Sequence, residues 1–128
     1  MAVDVGMKVL IVDDYPTMLK VLRSLLRQLK FTDISEASNA KDALAMLREG
    51  GYGLVISDWN MEPMSGFELL QAVRADAALK DLPFILVTAE STTDRVIAAK
   101  QAGVSNYIIK PYTAATLKTK LVSVLGEF

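Results

Sequence analysis

The sequence contains no cysteine and no histidine. Without cysteine there is no disulfide, no thiolate zinc ligand and no sulfur nucleophile. Without histidine, Ser-His-Asp catalysis, imidazole-bound metals and a phosphohistidine relay within this chain are excluded. An excess of charge is also missing. Lys and Arg number 14 and Asp and Glu 15, for a net charge of -1. That balance offers no basic footprint for nucleic acid or for an anionic membrane. No apolar run approaches the roughly 20 residues of a membrane span. The first six residues lack the basic start and apolar stretch of a signal peptide, so a cytoplasmic location is expected. Chemistry is left to carboxylates, Lys, hydroxyls, amides and Tyr.

What is present alternates between two periodicities. A length of 128 residues suits one domain, taken as 1–128. Lys8–Val12 is an almost continuous apolar run, as in a strand buried on both faces. Pro16 fits a helix start, and Met18, Leu22, Leu25 and Leu29 follow at helical spacing. A short run near Ile34 to Ala37 comes next. Ser38 or Asn39 can cap a helix bearing Ala40, Ala43, Leu44 and Leu47, which Gly50-Gly51 ends. Residues 54–57 are a buried strand leading into Asp58. Ser65 and Glu68 form a capping box for a helix bearing Leu69, Leu70 and Val73. Phe84–Thr88 and Asn106–Ile109 read as strands. Residues 91–102 read as a helix of modest apolar content that offers Val96, Ile97 and alanines to the core. Leu117, Leu121, Val124 and Leu125 mark a final amphipathic helix.

This order is (βα) repeated five times. Right-handed crossovers make such a sheet parallel, with helices on both faces. The expected fold is an α/β doubly wound, flavodoxin-like sandwich with strand order 2-1-3-4-5. Its ligand site lies at the carboxyl ends of strands one and three, where the winding reverses. Asp13-Asp14 end strand one, Asp58 ends strand three, Thr88 ends strand four, and Lys110-Pro111 follow strand five. Each has an ordinary use when taken alone. A strand-end Asp serves turns and caps, and Lys110 alone is a solvated cation. Together they are more specific. Three acids in one space repel one another, and a divalent cation resolves the conflict. All-oxygen ligands favour Mg²⁺, Mn²⁺ or Ca²⁺; few protein ligands, with waters and a phosphate, favour Mg²⁺. A carboxylate beside such an ion can attack a phosphoryl group and form an acyl phosphate. Asp58 is the natural acceptor because it stands alone on the central strand. Asp13 and Asp14 suit the metal, Lys110 adds a second positive contact, and Thr88 offers a hydroxyl to the phosphate.

Asp13-Asp14, Asp58, Thr88-Ala89 and Lys110-Pro111 resemble the receiver domain of two-component response regulators, in particular the single-domain chemotaxis regulators. Residues 55–61 (Val-Ile-Ser-Asp-Trp-Asn-Met), 87–90, 101–103 and 110–117 carry the likeness, which covers essentially the whole chain. The resemblance implies that Asp58 takes a phosphoryl group from a phosphohistidine of a chemotaxis-type sensor histidine kinase. It implies Mg²⁺ held by Asp13, Asp58 and the Asn60 backbone carbonyl, with Asp14 helping through water. It further implies that Thr88 moves toward the phosphate, that Tyr107 changes rotamer with it, and that Lys110 pairs with the phosphate. The Lys110-Pro111 bond is often cis in such domains. Asn60 and Glu90 would tune the lifetime of the acyl phosphate. The loop after Asp58 departs from the family, with Pro63 one position late and Ser65 in place of an Asp; Ser caps comparably.

The chain ends one helix after the last strand, so output is expected through binding. The expected surface is the fourth helix, fifth strand and fifth helix, with Tyr107, Ile109, Tyr112 and Lys120. The expected function is a phosphorylation-controlled binding switch acting on a flagellar motor switch protein, probed by a possible phosphatase, as a monomer and not as an enzyme in its own right. The alternatives are a phosphate sink, or a stand-alone receiver for a non-motor partner. An Asp-nucleophile phosphatase normally has a second Asp two residues on, where this chain has Asn60. An FMN carrier would not place Asp13-Asp14 against a phosphate.

Overall fold

The computed structural model describes residues 5–89 and 92–126. In chain order the elements are β1 (Lys8–Val12), α1 (Pro16–Gln28), β2 (Asp33–Ala37), α2 (Ala40–Glu49), β3 (Tyr52–Asp58), α3 (Gly66–Ala75), β4 (Phe84–Thr88), α4 (Thr93–Gln101), β5 (Asn106–Ile109) and α5 (Ala114–Leu125). The strands form one parallel sheet in the order β2-β1-β3-β4-β5. The expected topology is therefore the observed one.

Side chains alternate across each strand, so the central strands feed two cores. Leu10, Val12, Val55 and Leu86 point toward α2 and α3, meeting Ala43, Leu47, Leu69, Leu70 and Val73. Val9, Ile11, Ile56, Ile85 and Val87 point the other way, meeting Leu19, Leu22 and Leu26 of α1 and Leu117 and Leu121 of α5. Each aliphatic side chain buried in this way stabilises the fold by roughly 1.5–3 kcal/mol. Burial on both faces is why these strands lack the polar alternation of a half-exposed sheet.

Local signals set the helix ends. Pro16 sits in the first turn of α1. Asn39 caps α2 by accepting from the Asp42 amide at 2.7 Å, and Gly50 closes it at φ 91°. The Ser65–Glu68 capping box opens α3, so the change from Asp to Ser costs the helix nothing in start position. Two details differ from the sequence reading. The buried stripe of α1 is Leu19, Leu22 and Leu26, while Met18, Leu25 and Leu29 are only half-buried. A one-residue rotation of the stripe is invisible to periodicity when leucines flank it on both sides. The fourth helix begins at Thr93 with Thr92 as its cap, and Ser91 lies outside the described residues. Ile97 faces solvent at 47% exposure, so it is not a core residue; among the described residues of α4 only Ala99 is buried. At 3.6 residues per turn, residues two apart face nearly opposite sides of a helix, so burying Ala99 turns Ile97 outward.

At the amino end of the sheet, Arg74 of α3 ties β4 and β5 together. It donates from Nη1 to the Leu82 carbonyl at 2.7 Å and from Nε to the Gly103 carbonyl at 2.8 Å. The Ser105 hydroxyl, 3.4 Å from Nη2, accepts from the Phe84 amide at 3.0 Å. Burial lowers the pKa of Arg74, and Asp81 opposes that shift.

Candidate functional site

The sheet register brings the strand ends level. Val12 lies opposite Ser57, Asp58 opposite Val87, and Thr88 opposite Ile109. The residues that follow are therefore neighbours in space although they are far apart in sequence. Asp13, Asp14 and Asp58 each offer a carboxylate oxygen within 4.8 Å of the others. Asp13 and Asp58 are buried, at 7% exposure each, and Asp14 is exposed. The two adjacent acids thus differ in burial, although each brings a carboxylate oxygen to the same cluster.

This clustering has an electrostatic cost. Burial pushes the Asp13 pKa up to about 6 from an ordinary 3.8. The Tyr15 amide, which donates to Asp13 Oδ1 at 3.0 Å, pulls it back, and the charge on Asp58 pushes it further up. Lys110 answers part of the repulsion: its Nζ lies 2.7 Å from Asp58 Oδ1. The Lys110-Pro111 peptide bond is cis, and a second cis bond, Glu62-Pro63, lies in the loop after β3. Hard oxygen donors on a partly enclosed, negatively charged sheet end fit a divalent cation such as Mg²⁺.

The loop after β3 is shaped by close backbone approach. The Trp59 carbonyl accepts from Gly66 at 2.9 Å and from Met61 at 3.2 Å, and Met61 is buried in the core under the loop. A side chain at Gly66 would collide with the Asp58 carbonyl oxygen, so only glycine lets α3 start this near the acidic cluster. Trp59 continues the pairing of β3 by donating its amide to the Val87 carbonyl at 2.8 Å. Its indole stacks on Phe67 with 5.0 Å between ring centroids.

Thr88 is buried at the end of β4, and its carbonyl accepts from the Lys110 amide at 2.8 Å. Its hydroxyl accepts from Nη1 of Arg95 at 3.3 Å. Nη2 of the same guanidinium donates to the Asn60 side-chain oxygen at 3.2 Å. The guanidinium carbon sits 4.6 Å from the centre of the Trp59 ring. A cleft of about 400 Å³ opens beside these groups, with Asp14, Asn60, Glu62 and Arg95 on its walls. Arg95 is the residue that sequence reasoning missed. One local signal was available: it is a cation in the first turn of α4, where the helix dipole favours an acid.

The four residues expected on the output surface do not share one environment. Tyr107 is half-buried against the core beneath α3 and α4, with Lys120 Nζ 5.1 Å from its ring centre. Ile109 is exposed, at 39%. Tyr112 packs instead against the core under α1 and α5. Burial pushes its phenol up to about 12, with Asp13 and Asp58 adding to the shift. Tyr112 therefore belongs to the rim of the acidic cluster and lies on the other side of the sheet from Tyr107. Glu90 lies outside the described residues.

A parallel doubly wound sheet with three acids, a hydroxyl and a lysine at its carboxyl end defines a phosphoryl-signalling domain. The response regulator receiver domain family matches the chain over residues 9–122, and the chain belongs to that family. It is 50% identical to the chemotaxis protein CheY of Pseudomonas aeruginosa over 115 residues, which are 90% of this chain and 93% of that protein. It is likewise 50% identical to chemotaxis protein CheY-3 of Vibrio cholerae over 116 residues, 91% of this chain and 89% of that one. The crystal structure of Vibrio cholerae CheY4 superposes with a TM-score of 0.86 at 30% identity, covering 93% of this chain and 98% of that one. The protein is a CheY-like receiver domain of two-component signalling, a class of signalling regulators.

Proposed function

We propose that Asp58 is the phosphoacceptor of a chemotaxis switch, written by a sensor histidine kinase and read at the flagellar motor switch. The observation that carries this reading is the Asp58–Lys110 pair at 2.7 Å, with Asp13 and Asp14 close by. An Asp58 carboxylate oxygen attacks the phosphorus of a phosphohistidine, the P–N bond breaks, and the imidazole leaves with a proton. Lys110 then turns to the transferred oxygens, and the Thr88 hydroxyl donates to one of them. Asp13, Asp58 and the Asn60 carbonyl would hold Mg²⁺ (or Mn²⁺), with Asp14 acting through water. When bound, that ion neutralises charge on the transferred oxygens. Water later attacks the phosphorus, the P–O bond to Asp58 breaks, and inorganic phosphate leaves. The side chain of Asn60 borders that path, and Glu90 is assigned the same tuning role by family resemblance.

The readout surface is α4, β5 and α5. Exposed Ile97 and Ile109 supply apolar area there, with Tyr107 and Lys120 beside them. We assign the protein to the cytoplasm as a single domain, 1–128; among the described residues no helix is long and apolar enough to cross a membrane.

Trp59, the sole Trp, reports on the site. Mg²⁺ with beryllofluoride, a phosphoryl mimic, should change its fluorescence, and Asp58→Asn should abolish the beryllofluoride response while leaving the circular dichroism intact. A silent wild type with an intact fold would sink the acceptor assignment. Capture of purified motor switch protein should rise with beryllofluoride; equal capture with and without it would remove the motor output and leave a phosphate sink or a receiver for a non-motor partner.

A further inference from the structure

Arg95 bridges groups that the proposed chemistry uses separately. It comes from α4, the helix with the fewest buried anchors, and reaches back over the acceptor loop. One guanidinium nitrogen is bonded to the Thr88 hydroxyl, which should donate to the phosphoryl group, and the other to the side-chain oxygen of Asn60. Its flat face rests on Trp59, which is itself held by the Phe67 stack. A guanidinium is a rigid planar fork, so its hydrogen-bond directions move together. With Trp59 and Asn60 holding one part of the fork, it has little freedom to follow Thr88. The Thr88 bond, at 3.3 Å, is already at the long end for N–H···O. With the guanidinium held on Trp59, an approach of Thr88 to a phosphoryl group on Asp58 is expected to stretch it further.

We propose that Arg95 is a positioning residue that holds the Thr88 hydroxyl in the unphosphorylated site, so that a phosphoryl group on Asp58 has to draw Thr88 away from it. The inference rests on the acceptor role of Asp58. It makes Arg95 a brake on phosphoryl binding and gives α4 a direct link to the occupancy of the site. The link runs through side chains, because the guanidinium that Thr88 leaves belongs to the first turn of that helix. Removing the guanidinium takes away one hydrogen bond that opposes the movement of Thr88 toward the phosphate. Lysine is a compact point charge and cannot span Thr88 and Asn60 as the fork does, so it should act only in part.

The test is a beryllofluoride titration in saturating Mg²⁺, read by the ¹⁹F signal of the bound species, because Trp59 fluorescence is itself altered when Arg95 is removed. Arg95→Ala should bind about three- to tenfold more tightly than wild type, the value of one modest hydrogen bond. Arg95→Lys should fall between the two. In a Thr88→Ala background, Arg95→Ala should change the affinity by less than about twofold, because the two act through one bond. A purely structural Arg95 would give the same shift in both backgrounds. Unchanged or weaker binding by Arg95→Ala, or an equal gain without Thr88, overturns the proposal while the acceptor reading stands. A wild type that binds no beryllofluoride while Mg²⁺ still perturbs Trp59 overturns both.

Discussion

Two arginines reach from helices to the opposite ends of one sheet, and their partners differ in kind. Arg74, at the amino end, donates to the carbonyls of Leu82 and Gly103. Arg95, at the carboxyl end, donates to the side chains of Thr88 and Asn60. A backbone carbonyl has no alternative conformation without moving the chain. A hydroxyl or an amide oxygen can turn away at the cost of one rotamer. The amino end is thus built to stay, and the carboxyl end is built from bonds that can be exchanged. Local stability is expected to follow the same division, because regions that switch are drawn from the weakly held parts of a fold. Amide exchange should accordingly be faster in α4 than in α1, which buries three leucines where α4 buries one alanine.

The division can be broken by mutation, and the largest effect should come where the exchangeable end is itself rigid. Gly66→Ala drives a methyl into the Asp58 carbonyl oxygen. It should destabilise the protein by roughly 3 kcal/mol in urea unfolding, or else displace the acceptor loop. A stability within about 0.5 kcal/mol of wild type would show that the loop yields, and that rigidity ends at β3. Arg74→Ala comes next. It removes the Arg74 hydrogen bonds to two carbonyls, for a loss of about 2 kcal/mol, while Ser105 keeps the Phe84 amide and the beryllofluoride affinity stays at the wild-type value.

The third effect is a matter of protons. Folded Asp13 keeps its proton up to about pH 6, against an ordinary value of 3.8. Between those values the folded chain binds more protons than the unfolded one, so stability without metal falls as pH rises through this window. The loss amounts to at most about 3 kcal/mol, from two units at 1.36 kcal/mol each. Mg²⁺ requires the ionised form, so its stabilising effect on Tm should be full above pH 7 and fade as pH falls through about 6. Asp13→Asn should raise the stability of the metal-free protein by roughly 1–2 kcal/mol at neutral pH and remove the Mg²⁺ effect. A Tm that responds to Mg²⁺ equally at pH 5 and pH 8 would contradict the assignment. The smallest effect belongs to Arg95→Ala, a change in unfolding free energy of about 0.5 kcal/mol or less. If it matched Arg74→Ala, the contrast between the two ends would be lost.

Much of the site was legible before any coordinates because its residues stand at the ends of apolar runs. Asp13 follows a buried strand, Asp58 and Thr88 end two more, Lys110 follows the apolar run of β5, and the sheet register then sets them side by side. Helix faces were less legible. In α1, leucines on both sides of the true stripe hid a rotation of one residue. In α4, Ile97 looked like core because it is apolar, yet it lies on nearly the opposite side of the helix from buried Ala99. Tyr112 looked like a neighbour of Tyr107, but the chain turns at Pro111 and carries it to the other core. Arg95 was missed because nothing in its sequence neighbourhood names Thr88 or Asn60 as partners.

The sequence by itself determined the order of strands and helices, the parallel sheet and the edge at which the polar residues gather. Those follow from periodicity, from the handedness of crossovers and from the need to bury apolar runs, all of which act along the chain. Only the tertiary structure decided that Asp58 pairs with Lys110, that burial lifts the pKa of Asp13, that Gly66 has no substitute and that Arg95 closes over Thr88. These depend on the distance and direction between side chains from separate elements, and a difference of an ångström decides each of them.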